Sequence, residues 1–275
     1  MAPDGAMWLF KEVTWNRRPD GSRYAKGDDW SERVAAAVAD ALGLPTAHVE
    51  LALRRDGVDI THGIISRKVL DDSESLIHGN ELLAEIGVRA RSPKDRTGYT
   101  VEAVRDSLRS VAPPTGVIDL TAWDYWVGYS VLDALVGNTD RHQANWAVIG
   151  DGLRRLAPTF DHASCLGFLL DDEDRSSRLA TADRNRTVEA YVGAARSKFE
   201  GQPHPCDVAV AALGQCSDAA RGRWIRAAEA LTTIDHLLEM VPPRRASPTA
   251  RNFAGELYRV NRALLLSHPL CNLVI

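Results

Sequence analysis

The sequence has few cysteines and no arrangement of them that carries chemistry. Its four, Cys165, Cys206, Cys216 and Cys271, form no C-x-x-C pair. That removes a zinc knuckle or a thiol redox motif and points to a reduced, cytoplasmic chain. A dominant charge is lacking too. The 33 Lys and Arg against 37 Asp and Glu leave a net −4, which gives no general attraction to nucleic acid or to an anionic membrane. No apolar run approaches the length that spans a bilayer. The opening MAPDGAMWLFKEV has no basic start followed by an apolar stretch, so no signal peptide is expected. There is no internal repeat and no low-complexity tract. What is present is ordinary for a globular protein: 275 residues, 45% hydrophobic and 25% charged, enough for one large domain or two lobes with a real core.

The chain divides into a mixed α/β part and a helical part, with the boundary expected between residues 85 and 98. MWLFKEV reads as a strand after a P-D-G turn at 3 to 5. RRPDGSRYAKGDD reads as a polar loop. WSERVAAAVADALGLP predicts a helix, with Ser31 as its cap, an apolar stripe of Val34, Ala37, Val38, Ala41 and Leu42, and a stop at Gly43 and Pro45. HVELALRRDG and GIISRKVL predict two strands joined at Asp56-Gly57, and GNELLAEIGV (79 to 88) reads as a connection. TAWDYWVGYSVLDALVG is the clearest helix: Thr121 and Asp124 open it as a capping box, Trp123, Trp126, Val127, Ser130, Val131, Ala134 and Leu135 line one face, and Gly137 closes it. Further helices are expected at 99 to 112, 187 to 198, 207 to 214, 218 to 240 and 248 to 266.

Directly after that helix comes GNTDRHQANW, then WAVIGDGLRRLAPTFDHASC. WAVI and LRRLAPTF flank the turn G-D-G, a hairpin signal. A hairpin returns the chain to its starting point, so Asn145 before its first strand and Asp161 after its second should lie at one end, with Asp140 nearby. Two carboxylates and an amide oxygen form a hard-oxygen set of the kind that suits magnesium beside substrate phosphates. Asp140, five residues before Asn145, could orient an attacking hydroxyl and accept its proton, which is the division of labour in kinase-type phosphoryl transfer. Such chemistry also needs a strand lysine near the amino terminus, paired to a glutamate on the next helix. Lys11 and Glu32 are the candidates. Taken singly, each residue has a bland reading: a loop acid, a turn cap, an edge-strand lysine, a helix-start glutamate.

WLFK, SERVAAAVADALGLP, GNTDRHQANW, LAPTFDHASCLG and the closing ARNFAGELYRVNRALLL together resemble the HipA-like serine/threonine kinase family, over about residues 6 to 265. D-R-H-x-x-N is also similar to the catalytic loop of phosphoinositide kinases. The resemblance implies an α+β, protein-kinase-like two-lobed fold: a truncated N-lobe over 1–88 and a helical C-lobe over 89–275. It implies ATP and Mg2+ as cofactors and a protein substrate. Asp140 would be the catalytic base, with Asn145 and Asp161 as metal ligands. Lys11 would contact the nucleotide phosphates with Glu32 as its ion-pair partner. The adenine-reading hinge would fall at Glu81, Leu82 and Glu85. His142 would hold Asp140 or Asp161 in place, unless it is an ordinary loop histidine.

The sequence departs from the family in one respect. The ten residues before Lys11 hold a P-D-G turn and no Gly-rich phosphate loop. A late start site, a partner chain supplying N-lobe strands, or a pseudokinase acting as a nucleotide-binding scaffold would each account for it. An antitoxin is a further partner the resemblance implies, and neither direct nucleic-acid binding nor membrane association is expected. A rival from the residues themselves is a metal phosphohydrolase built on Asp140, His142, Asp161 and His162, although His162 follows its Asp where an HD-type site has the reverse order.

Overall fold

The computed structural model describes residues 6–71, 73–92, 94–117, 119–150 and 152–273. The P-D-G turn at 3 to 5 and Asp151 of the G-D-G turn lie outside them. The amino-terminal part contains β1 (Trp8–Glu12), β2 (Trp15–Arg17), β3 (Arg23–Ala25), α1 (Asp28–Ala41), β4 (Val49–Asp56) and β5 (Asp59–Arg67). β1, β5 and β4 form an antiparallel sheet in that order. Asp56 faces Asp59 across a two-residue turn in which Gly57 has φ +59, a left-handed angle that glycine adopts without a Cβ clash. β1 is an edge strand, and Lys11 sits opposite Ile64 of β5. Leu9, on the same face as Lys11 by the two-residue period, is 61% exposed.

The remainder contains β6 (Leu76–His78), α2 (Gly79–Glu85), α3 (Val101–Ser107), α4 (Ala122–Val136), β7 (Ala147–Ile149), β8 (Arg155–Leu156), α5 (Asp172–Ala180), α6 (Val188–Gly193), α7 (Pro205–Leu213), α8 (Asp218–Ala230), α9 (Asp235–Glu239), α10 (Pro248–Leu266) and a closing 3-10 turn (Pro269–Leu273). β6, β7 and β8 pair in that order, so the strand that leads out of the first part is stitched to the hairpin of the second. α4 is the hub. Every one of its residues is buried, because α1, α7, α8 and α10 all pack on it. The single apolar face predicted for it was too narrow; a helix apolar on all sides belongs in a core. Its ends are as expected, with the Thr121–Asp124 capping box and a left-handed Gly137. Trp30, Val34 and Val38 of α1 join this same core, which fixes the upper part against the lower. No helix among the described residues is long and apolar enough to cross a membrane.

Several local expectations change. α1 begins at Asp28, capped by Gly27 and not by Ser31. The acids Asp28 and Asp29 favour its positive end, and Thr14 N–H donates to the Asp28 carboxylate at 3.1 Å. Ser31 lies inside the helix, where its hydroxyl donates to the Ala163 carbonyl at 2.6 Å. The polar loop at 17 to 29 contains the β2–β3 hairpin, closed by Asn16 donating to the Tyr24 hydroxyl. GNELLAEIGV is a helix rather than a connection, started by the Glu81 carboxylate accepting from His78 N–H at 3.0 Å. The helix predicted over 218 to 240 splits at Leu231–Ile234, where a T-T-I run is stiff at χ1 and Thr233 accepts from Asp235 N–H at 3.2 Å.

Candidate active site

The loop after α4 is held by a buried ion pair. Arg141 grips Asp133 in two-pronged fashion, Nε to Oδ2 at 2.7 Å and Nη2 to Oδ1 at 2.8 Å. The two side chains are only 4% and 7% exposed. Burial alone would lower the Arg141 pKa, and the Asp133 carboxylate more than offsets this, leaving it raised. The remaining donors of the guanidinium fasten the surroundings. Nη1 reaches the Asn145 carbonyl at 2.6 Å and the Phe160 carbonyl at 3.4 Å, and Nη2 reaches the Thr159 hydroxyl at 3.1 Å. One side chain therefore ties the end of α4, the loop and the far side of the β7–β8 hairpin. Asn138 completes the clamp: its amide donates to Asp133 at 2.8 Å and its oxygen accepts from Asp140 N–H at 3.0 Å.

This scaffold brings the predicted trio together. β7 and β8 pair through Val148–Leu156 and Ile149–Arg155, and Ala157 N–H donates to the Ala147 carbonyl at 3.0 Å. Asn145 and Asp161 thus sit at the same end of the ribbon, as the hairpin pattern predicts. The Asn145 nitrogen donates to the Asp140 carbonyl at 2.7 Å; only the nitrogen can do so, which leaves its oxygen for a ligand. Asp161 has φ +60, a left-handed conformation that Asp tolerates better than most residues but that still costs on the order of 1 kcal/mol. Lys11 crosses from β1 to meet it, Nζ to Oδ1 at 2.8 Å. Burial pushes the Asp161 carboxyl up, but the ammonium beside it, with His162 and Arg141, holds it below its usual range. For Lys11 burial acts downward, and Asp161 outweighs it, with a smaller contribution from Glu32.

The remaining sequence-predicted residues are placed differently. Glu32 is not the ion-pair partner of Lys11; Asp161 is. Glu32 is 2% exposed and lies 3.7 Å from Nδ1 of His162. His162 is fully buried, and its Nε2 is 2.8 Å from the Thr159 hydroxyl. His142 touches neither carboxylate: its Nδ1 accepts from Ala144 N–H at 3.2 Å and shapes the loop. The metal-hydrolase reading finds no support, because among the described residues no three His, Cys, Asp or Glu side chains gather where they could hold a metal ion. The hinge residues lie on α2 and are occupied. Glu81 caps the helix, Leu82 is 2% exposed in the core, and Glu85 pairs with Arg154 at 2.7 Å. The strand that crosses between the two parts is β6, just upstream.

Lys198 was not anticipated. It follows α6 and places its ammonium 3.4 Å from the Asp140 carboxylate. Next to it, Phe199 stacks on Tyr99 with centroids 4.2 Å apart, and the Tyr99 hydroxyl donates to the Arg141 carbonyl at 3.1 Å. This aromatic pair anchors the Lys198 segment to the loop. Nothing in the sequence near residue 198 signals such a contact, because it joins segments 58 positions apart. Asp133 did carry a signal: an acid inside an otherwise apolar helix must find a cation.

No family model matches the sequence, and no curated protein matches it. Solved structures do. The proinflammatory kinase CtkA of Helicobacter pylori superposes with a TM-score of 0.67 at 17% identity, over 98% of this chain and 92% of that one. HipA of Shewanella oneidensis MR-1, solved in a toxin–antitoxin complex with HipB and operator DNA, gives 0.54 at 12% identity, over 95% of this chain and 63% of that one. The chain has the fold of HipA-like kinases. In this HipA-like fold the mixed α/β architecture expected from the sequence is present, with small antiparallel sheets above a helical body.

The donor set also fits a magnesium ion. Among the described residues no three His, Cys, Asp or Glu gather into a cage. One carboxylate, Asp161, and one free amide oxygen, Asn145, make the sparse hard-oxygen set with which Mg2+ is held when phosphates and waters complete its shell.

Proposed function

We propose that the chain is an ATP- and magnesium-dependent phosphotransferase of the HipA-like type, acting on serine or threonine hydroxyls of a protein. The observation that carries this reading is the convergence of Lys11, Asp161, Asn145 and Asp140 on one site, held by the Asp133–Arg141 clamp. Asp161 and Asn145 would hold the ion, which when bound neutralises charge on the phosphates. Lys11 binds the phosphates. Its pairing with Asp161 does not obstruct this, because the two side chains are 43% and 36% exposed and pairs in water contribute only about 0–1 kcal/mol. A triphosphate and its metal can part them. Leu9, exposed on the same face as Lys11, leaves apolar surface for the base.

Asp140 orients the acceptor hydroxyl. As the hydroxyl oxygen bonds to the γ-phosphorus, its proton passes to the Asp140 carboxylate, the β–γ bridging bond breaks and ADP leaves. Lys198, beside Asp140, holds that carboxylate in place. Titration calorimetry with Mg2+ and a non-hydrolysable ATP analogue tests the binding half. Asp161→Ala is expected to remove most of the signal given by the wild-type chain. Equal binding by both would remove Asp161 from the site.

A further inference from the structure

Asp140 opens into a groove of about 560 Å3, lined also by residues 90–92, 94–96 and Tyr99. That wall has a charge pattern of its own. Arg91, Lys94, Arg96 and Lys198 line the groove against only two acids, Asp95 and Asp140. Lys198 is engaged with Asp140. Among the described residues, no carboxylate forms an ion pair with the side chains of Arg91, Lys94 or Arg96. Asp95 is spoken for: it accepts from the backbone N–H of Arg91 at 2.8 Å and of Thr97 at 3.0 Å, bonds that bend the loop and hold its carboxyl down to about 2. The chain as a whole carries −4, so this wall reverses the sign of the protein where an acceptor must enter. Like charges gathered in a cleft repel one another and focus the field on an incoming anion.

We propose that the groove selects an acidic polypeptide segment, presenting a Ser or Thr to Asp140 with Asp or Glu side chains laid along Arg91, Lys94 and Arg96. This rests on the phosphotransferase reading above and adds the substrate class. The nucleotide does not account for these cations, since its phosphates are assigned to Lys11 and Asp161, neither of which lines this groove. A single-stranded nucleic acid fits less well. Base binding uses aromatic platforms, and the ring in this wall, Tyr99, is 1% exposed and already stacked on Phe199.

Fluorescence anisotropy with labelled serine peptides, in the presence of Mg2+ and a non-hydrolysable ATP analogue, tests this directly. A peptide flanked by Asp and Glu is expected to bind the wild-type chain at least about tenfold tighter than a neutral one, equivalent to roughly 1.4 kcal/mol, and to weaken with added salt. The combined Arg91→Glu, Lys94→Glu and Arg96→Glu variant should lose that preference while keeping its affinity for the nucleotide analogue. Lys94→Glu alone, at an exposed position, should lose part of it and guards against misfolding of the triple variant. Equal binding of acidic and neutral peptides, or tighter binding of an oligothymidylate than of the acidic peptide, overturns the proposal. Transfer from ATP is read separately. Selective binding without transfer counts against the phosphotransferase and supports the groove; transfer without selectivity does the reverse.

Discussion

Asp140→Asn is expected to bind magnesium and a non-hydrolysable ATP analogue as the wild-type chain does, and to transfer phosphate at least about a hundredfold more slowly. The magnitude follows from the role. A positioned general base contributes about 10²–10⁴ in rate, and a hundredfold loss corresponds to roughly 2.7 kcal/mol of barrier. The selectivity follows from the geometry. The backbone of Asp140 is fixed by Asn138 and its carbonyl by Asn145, so the loop keeps its shape when the side chain becomes neutral. Only the carboxylate facing Lys198 changes. Calorimetry for binding and single-turnover kinetics for transfer separate the two effects. Loss of both together would make Asp140 a ligand or a structural residue instead.

Asp133→Ala should be the most destabilising substitution near the site. Removing one partner of a buried ion pair leaves the other charge uncompensated, which costs about 3–5 kcal/mol. That is a large share of the roughly 5–15 kcal/mol by which domains are stable. Arg141 would be left in the core with Asn138 unpaired beside it. In a thermal melt the midpoint should fall by on the order of 10 °C, given about 2–4 °C per kcal/mol for chains of this size class. Asp133→Asn, which keeps an acceptor but no charge, should fall between. A melt unchanged within about 2 °C would show that the clamp is not the element that organises the loop.

The parts of the site that were readable from the sequence are those set by local pattern. The capping box at Thr121, the stop at Gly137 and the β7–β8 hairpin are short-range signals, and together they bring Asp140, Asn145 and Asp161 to one place. Pairings across long sequence separations were not readable. Lys11 could be suspected of seeking a carboxylate, but the choice of Asp161 over Glu32 depends on how β1 sits above the hairpin. α1 packs into the lower core through Trp30, Val34 and Val38, which sets Glu32 beside His162. The helix that carries Glu81, Leu82 and Glu85 was hidden for a different reason. GNELLAEIGV carries helical residues, but its Gly-Asn opening and Ile-Gly-Val end look like a connection, and the capping bond from His78 to Glu81 decides for a helix. β6 was missed because it is three residues long and forms only by pairing with β7.

The most direct test is incubation of the purified chain with Mg2+ and ATP labelled at the γ-phosphate, with the label followed into protein and peptide hydroxyls. The predicted result is magnesium-dependent transfer to serine or threonine that falls to background with the Asp140→Asn chain. Label transfer that is indifferent to magnesium, or that persists undiminished when Asp140 is replaced, would contradict it.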